Sequence, residues 1–167
     1  MTRLLLLRHA KSSWDDPSLA DRDRPLAARG HRAADRMAEH LRSSGAGVDL
    51  VLCSPALRTT ETLEHVGRAF GDAEMVVEDG LYGATDEDLL DRLRRVSEDV
   101  EGLALIGHNP GVQDLANGLA GGGEDLDRMR RKFPTGALAV LEFDGPWAGL
   151  REGAARLVAF VTPKDLA

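Results

Sequence analysis

The chain has 167 residues, 43% of them hydrophobic and 29% charged, with a formal net charge of −7. That balance fits a single domain, residues 1–167, long enough to bury its own core, and no apolar run approaches the ~20 residues that cross a bilayer. The acidic surplus argues against a nucleic-acid partner, which calls for a basic face, and the lone cysteine, Cys53, excludes an internal disulfide and suits a reducing, cytoplasmic interior.

Residues Leu4 to Leu7 form an uninterrupted apolar run bounded by polar residues, which predicts a short strand buried on both faces of a sheet. The stretch is too short for the core of a signal peptide and lacks a small-residue cleavage site. Arg8 and His9 sit at its carboxyl end, where open α/β sheets bind their ligands. Residues Asp15 to Pro25 are polar and proline-punctuated and read as a loop. From Leu26 to about Arg42 the spacing of Ala34, Met37, Ala38 and Leu41 predicts a helix, ended by Gly45 and Gly47. Val48 to Cys53 predicts a second strand. Ser54-Pro55 reads as a serine cap and first-turn proline opening a helix that runs to about Arg68.

Met75 to Val77 is a third predicted strand, followed by a glycine-containing loop from Glu78 to Ala84. Thr85 with Asp88 three residues on resembles a capping box and leads into a helix with Leu89, Leu93 and Val96 inward. Leu103 to Gly107 predicts a fourth buried strand, and Asn109-Pro110 repeats the cap-then-proline start of a helix from Gly111 to about Leu119. Gly121 to Gly123 is expected to break the chain there. Residues Glu124 to Lys132 read as a short exposed helix or lid, and Ala137 to Phe143 and Ala155 to Val161 as strands. The alternation implies an α/β three-layer sandwich around a mainly parallel central sheet.

Three strands end alike: at Arg8-His9, at Cys53-Ser54-Pro55 with Arg58 in the next helical turn, and at Gly107-His108-Asn109-Pro110. In a parallel sheet these ends share one edge. Two arginines and two histidines then converge with two helix N-termini, an arrangement suited to phosphate. Each residue alone has an ordinary explanation, as a packed histidine, a solvated arginine or a common helix start. Their recurrence at equivalent places favours a functional site.

Lys11, Ser12 and Asn109 lie close enough in sequence to touch the phosphate or its leaving group, which makes them candidate substrate-binding residues. His31, His40 and His65 fall on predicted helices without zinc-ligand spacing and read as surface positions. Cys53 reads as core.

Arg8-His9-Ala10, the segment Ser54 to Thr62 and Gly107-His108-Asn109-Pro110 together resemble the histidine phosphatase (phosphoglycerate mutase-like) superfamily. Within it, the short chain, Arg24-Pro25-Leu26 with Gly30, and Phe133 to Ala137 resemble the SixA-type phosphohistidine phosphatases. The resemblance implies a phosphoglycerate mutase-like fold and a nucleophilic His9 that becomes a transient phosphohistidine. Arg8, Arg58 and His108 would complete a phosphate pocket, with no metal and no cofactor. The expected partner is a phosphorylated side chain on a protein, for instance a phosphorelay or phosphotransfer protein.

Many members of the superfamily also use an acid to protonate a departing alkoxide. Glu78, Asp79, Asp86 and Glu87 flank the loop where it would be sought, and Asp15 or Asp16 could substitute, but no motif singles one out. That favours a phosphoramidate substrate. The connections are expected to be short, leaving a shallow, open pocket. The alternatives at this stage are a phosphomonoesterase acting on a small metabolite and a non-catalytic phosphate-binding domain.

Overall fold

The computed structural model describes residues 1–167. Its seven strands, β1 (Thr2–Arg8), β2 (Leu50–Cys53), β3 (Glu74–Val77), β4 (Gly102–Gly107), β5 (Ala120–Gly122), β6 (Leu138–Phe143) and β7 (Ala155–Val161), form one sheet in the order β3-β2-β4-β1-β6-β7-β5. Strands β1 to β4 are mutually parallel, β6 runs antiparallel to both β1 and β7, and β5 pairs parallel with β7. The sheet is therefore mostly parallel, as the alternating pattern implied.

The leucine run decides how the layers form. Leu4 and Leu6 point to one face, among residues such as Leu89, Leu93, Leu115 and Met129. These come from α3 (Asp86–Arg94), α4 (Gly111–Leu119) and α5 (Leu126–Arg131). Leu5 and Leu7 point to the other face, among Met37, Leu41 and Val66, which come from α1 (Ala28–Ser44) and α2 (Leu57–Val66). The period of two in a strand means that one continuous apolar run supplies both cores. A last short helix, α6 (Pro163–Leu166), lies beside α1.

Several boundaries differ from the expected ones, each for a local reason. Helix α1 begins at Ala28, because Leu26 pairs with Ser12 in an isolated antiparallel bridge and Ala27 N–H donates to Lys11 O at 2.9 Å. Residues 121–123 do not simply break the chain, since Ala120–Gly122 adds an edge strand. The Glu124–Lys132 stretch is not a lid. Met129 of α5 is fully buried, and the Arg128 guanidinium donates to Phe160 O at 3.1 Å, which ties the helix to β7. The capping box at Thr85 and Asp88 forms as the sequence suggests, with N–H to side-chain bonds of 3.0 and 3.2 Å.

Register places the site. Arg8 pairs with Gly107 and Cys53 with Ile106, so the residues that follow, His9, Ser54 and His108, emerge at one level of one sheet edge. The pairing continues one step past the strands, where His9 N–H donates to Gly107 O and Ser54 N–H to Ile106 O, both at 3.1 Å.

Candidate active site

His9 lies at the end of the central strand with 6% of its surface exposed. Its Nδ1 is 2.7 Å from Ala10 O, and a carbonyl can only accept, so Nδ1 carries the proton and Nε2 the lone pair. Burial pushes its pKa down to about 3, and His108, Arg58 and Arg8 oppose a further positive charge. The imidazole is therefore neutral and nucleophilic at physiological pH.

His108 faces it with ring centroids 5.4 Å apart. Its Nε2 is 2.7 Å from Ser54 Oγ, and burial followed by the nearby Arg58 pushes its pKa down to about 4. Ser54 had the look of a helix cap. The structure starts α2 three residues later without a side-chain cap and turns the fully buried Ser54 hydroxyl to the histidine instead. Asn109 does cap its helix, accepting from Gln113 N–H at 3.2 Å, while its Nδ2 donates to Gln113 Oε1 and Phe133 O. Two further N–H groups of the first turn of α4 are also taken up, Val112 on His108 O and Asp114 on Pro110 O.

Arg8 donates to Phe133 O at 3.0 Å, and its burial lowers its pKa. Arg58, 7% exposed, donates from Nη1 to Asp21 O at 2.7 Å and from Nη2 to Asp21 Oδ2 at 2.9 Å. The Nε atoms of both arginines and Nδ1 of His108 are buried and have no acceptor or donor within the protein. Guanidinium N–H groups out of water want an oxyanion, and two forks flanking a neutral imidazole suit a phosphoryl group.

Asp21 is the residue the sequence reading missed. It sits in a 3-10 turn (Asp21–Asp23) within the long segment joining β1 to α1. Its carboxylate also accepts from the Tyr82 hydroxyl at 2.5 Å and from Arg24 Nε at 3.3 Å. The bond from Tyr82 first, then Arg58 and Arg24, holds its pKa down at about 2 against partial desolvation. Tyr82 meets the His108 ring edge-on, with centroids 5.6 Å apart. The only signal in the sequence was an acid in a loop rich in them. Asp21 and Tyr82 thus lie together against Arg58 and His108.

The remaining candidates separate. Ser12 is buried, and its Oγ accepts from Arg24 Nη1 at 3.1 Å. Lys11 lines a cleft with Arg29, Arg36 and Lys164 on the flank of the histidine pair. Glu78 is bound by Arg92 through three contacts of 2.7–3.1 Å, which hold it ionised with a lowered pKa. Asp79 pairs with Arg22 at 3.7 Å, while Asp86 and Glu87 line a cleft with Asp114 and Glu152. Asp16 is exposed and bonded to Ser18. Of the three other histidines, His31 and His65 are half-buried and joined at 2.9 Å, with His65 also on Asp35 at 2.6 Å.

Short polar contacts hold the segment around His9 in place. Thr62 Oγ1 accepts from Ala10 N–H at 3.1 Å and donates to Arg58 O at 2.7 Å, linking the two motifs. Gly30 lets the chain after His9 pass close to α1, since a Cβ there would lie 2.1 Å from Lys11 O. Gly136, at φ +77°, turns the chain so that its N–H reaches His9 O at 2.8 Å.

Comparison with known proteins agrees with this geometry. Residues 4–105 match the model of the histidine phosphatase superfamily, branch 1. The chain belongs to that superfamily. An uncharacterised protein of Mycobacterium tuberculosis (strain H37Rv) is 41% identical over 162 residues, covering 95% of this chain and 100% of that one. Two solved structures described, provisionally, as the phosphohistidine phosphatase SixA are similar throughout. The one from Agrobacterium tumefaciens is 34% identical with a TM-score of 0.84, covering 97% of this chain and 98% of its own. The one from Nakamurella multipartita is 31% identical with a TM-score of 0.83, covering 97% and 96%. The chain is thus a phosphatase of the histidine phosphatase superfamily, of the SixA type. No helix in it is long and apolar enough to cross a membrane.

Proposed function

We propose that this histidine phosphatase removes phosphate from phosphorylated histidine on a partner protein, with His9 as the nucleophile and Arg8, Arg58 and His108 binding the transferring group. The observation that carries the reading is the proton arrangement on His9, whose Nδ1–H is held by Ala10 O while Nε2 stands free among cations. The Nε2 lone pair attacks phosphorus and the P–N bond of the substrate breaks. A phosphohistidine protonated on its other ring nitrogen departs as a neutral imidazole, so no carboxylic acid is needed at the leaving group. Phosphorylated His9 is in the same condition, its Nδ1 proton retained. Water attacks, the second P–N bond breaks, and orthophosphate leaves with His9 neutral again. The forks of Arg8 and Arg58 stabilise the charge spread over the equatorial oxygens in both steps.

The carboxylates also support a phosphoramidate substrate over a phosphomonoester. Asp21, the acid bonded to Arg58, has a pKa of about 2 and is held by three donors, so it has no proton to give an alkoxide. Glu78 is similarly occupied by Arg92.

The test is a paired assay on a phosphohistidine-bearing protein and a panel of phosphomonoesters, with His9→Ala alongside. The expected result is fast turnover of the phosphohistidine protein, slow turnover of the esters, and no activity in the variant despite an unchanged unfolding temperature. An acid-labile phosphate on His9 should be trapped by rapid quench. Preference for an ester, or activity retained by His9→Ala, overturns the reading.

A further inference from the structure

Beside the catalytic edge lies a second, separate gathering of positive charge. Lys11, Arg29, Arg36 and Lys164 line one cleft of about 320 Å³ together with Thr135, and no acidic side chain lines it. None of the nine ion pairs in the molecule involves any of these four cations. The acid nearest in sequence on α6, Asp165, is turned away to Arg128 and to the N–H of Thr162. In a chain of net charge −7, four cations brought together from three parts of the fold, with the carboxylate of the terminal Ala167 as the one anionic group on the lining and within ion-pair distance of none of them, form a local exception.

Its position connects it to the reaction. Lys11 follows the nucleophile by two residues, and Thr135 precedes Gly136, whose N–H is bonded to His9 O at 2.8 Å. Arg29 and Arg36 stand seven positions apart on α1, two helical turns or about 10 Å along its axis, and Lys164 belongs to the opposite wall, α6. The cleft is therefore elongated and starts at the rim of the catalytic edge. Arg29, Arg36 and Lys164 are exposed and Lys11 half-buried, so each can meet a partner's charge at small desolvation cost, which favours steering and register over tight burial.

We propose that this cleft is a docking site for acidic side chains that flank the phosphorylated histidine on the partner protein. The proposal rests on the phosphohistidine reading above and adds the kind of surface that substrate carries. A cleft that spans two helical turns meets more than one carboxylate, and a peptide segment entering the catalytic edge has its neighbouring residues passing over Lys11.

The experiment uses the full chain, two phosphohistidine peptides of equal length, one flanked by Asp and Glu and one by Gly and Ser, and the variant Arg29→Glu/Arg36→Glu/Lys164→Glu. Lys11 is left intact because of its closeness to His9. The wild type is expected to hydrolyse the acidic peptide with a kcat/KM roughly 10-fold higher at low salt, the preference shrinking as ionic strength rises. The variant should lose the preference while keeping its rate on the neutral peptide, which also reports an intact fold. Equal rates on the two peptides in the wild type overturn the docking site and leave the phosphohistidine reading standing. No hydrolysis of either peptide overturns the phosphohistidine reading. The cleft is then judged by equilibrium binding of the unphosphorylated acidic peptide, where salt-sensitive binding lost in the variant supports it. Binding equal in both proteins, or binding of inorganic phosphate alone, overturns it.

Discussion

Arg58 is buried and Arg8 half-buried beside two histidines, whereas Arg29, Arg36 and Lys164 remain in water around a cleft a few residues away. The first pair acts on its neighbours. It helps keep His9 and His108 unprotonated, and it needs fixed partners of its own, Phe133 O for Arg8 and Asp21 for Arg58. The exposed group has no ion-pair partner within the chain. Equal charge thus does two kinds of work, set by dielectric. Short-range stabilisation of a reacting group requires the first environment, and longer-range attraction of an acidic surface suits the second.

The sharpest way to break that contrast is at Arg58. Arg58→Ala should lower kcat/KM by roughly 10²–10³-fold and weaken inhibition by vanadate in parallel, because a fork on the equatorial oxygens is lost. It should also lift the pKa of His108, whose second-largest perturbation comes from this guanidinium. Unchanged vanadate inhibition would remove Arg58 from the pocket.

Acid stability should come next in size. Both histidines have folded-state pKa values below the ordinary 6.5, about 3 for His9 and about 4 for His108. The unfolded chain therefore takes up protons first as pH falls through 6.5. Stability is intact above that pH and declines toward pH 4, by roughly 3 kcal/mol for each histidine. Denaturant unfolding between pH 7 and 4 should show this slope in the wild type, a shallower one in His9→Ala, and a shallower one still in His9→Ala/His108→Ala. A slope that the substitutions leave unchanged would mean the two rings are not held neutral.

The smallest effect is expected at Ser54. Ser54→Ala removes the only side chain hydrogen-bonded to His108 and should cost about 10-fold in kcat with little change in KM, because the neutral ring loses its orientation. Ser54→Thr, which keeps the hydroxyl, should recover part of that loss. If Ser54→Ala leaves kcat unchanged, the contact is structural only.

Much of this arrangement could be read in the chain itself. Leu4 to Leu7 announced the central strand, and the recurrence of strand, histidine or serine, and helix start brought Arg8, His9, Arg58 and His108 to one edge. Those readings succeed because apolar runs and strand–helix alternation are local signals, and parallel pairing then carries the strand ends together. The misses are of another kind. Ser54 was a plausible cap by residue type, yet its hydroxyl goes to His108, because β2 and β4 are paired in a register that sets Cys53 against Ile106. Asp21 could not be told from its acidic neighbours until the loop folded back and put its carboxylate on Arg58 and Tyr82. Residues 120–122 could not be recognised as a strand, because three small residues show no periodicity and form one only by pairing with β7.

From its residues alone this chain declared an α/β sandwich, its family and the four side chains that meet at one sheet edge, since each of these rests on composition, periodicity or a short motif. Which ring nitrogen of His9 is free, which carboxylate holds Arg58, and which exposed cations share a cleft were settled by the folded chain. Those depend on contacts between residues far apart in sequence, such as the 37 positions between Asp21 and Arg58, and on how much water burial leaves around each charge.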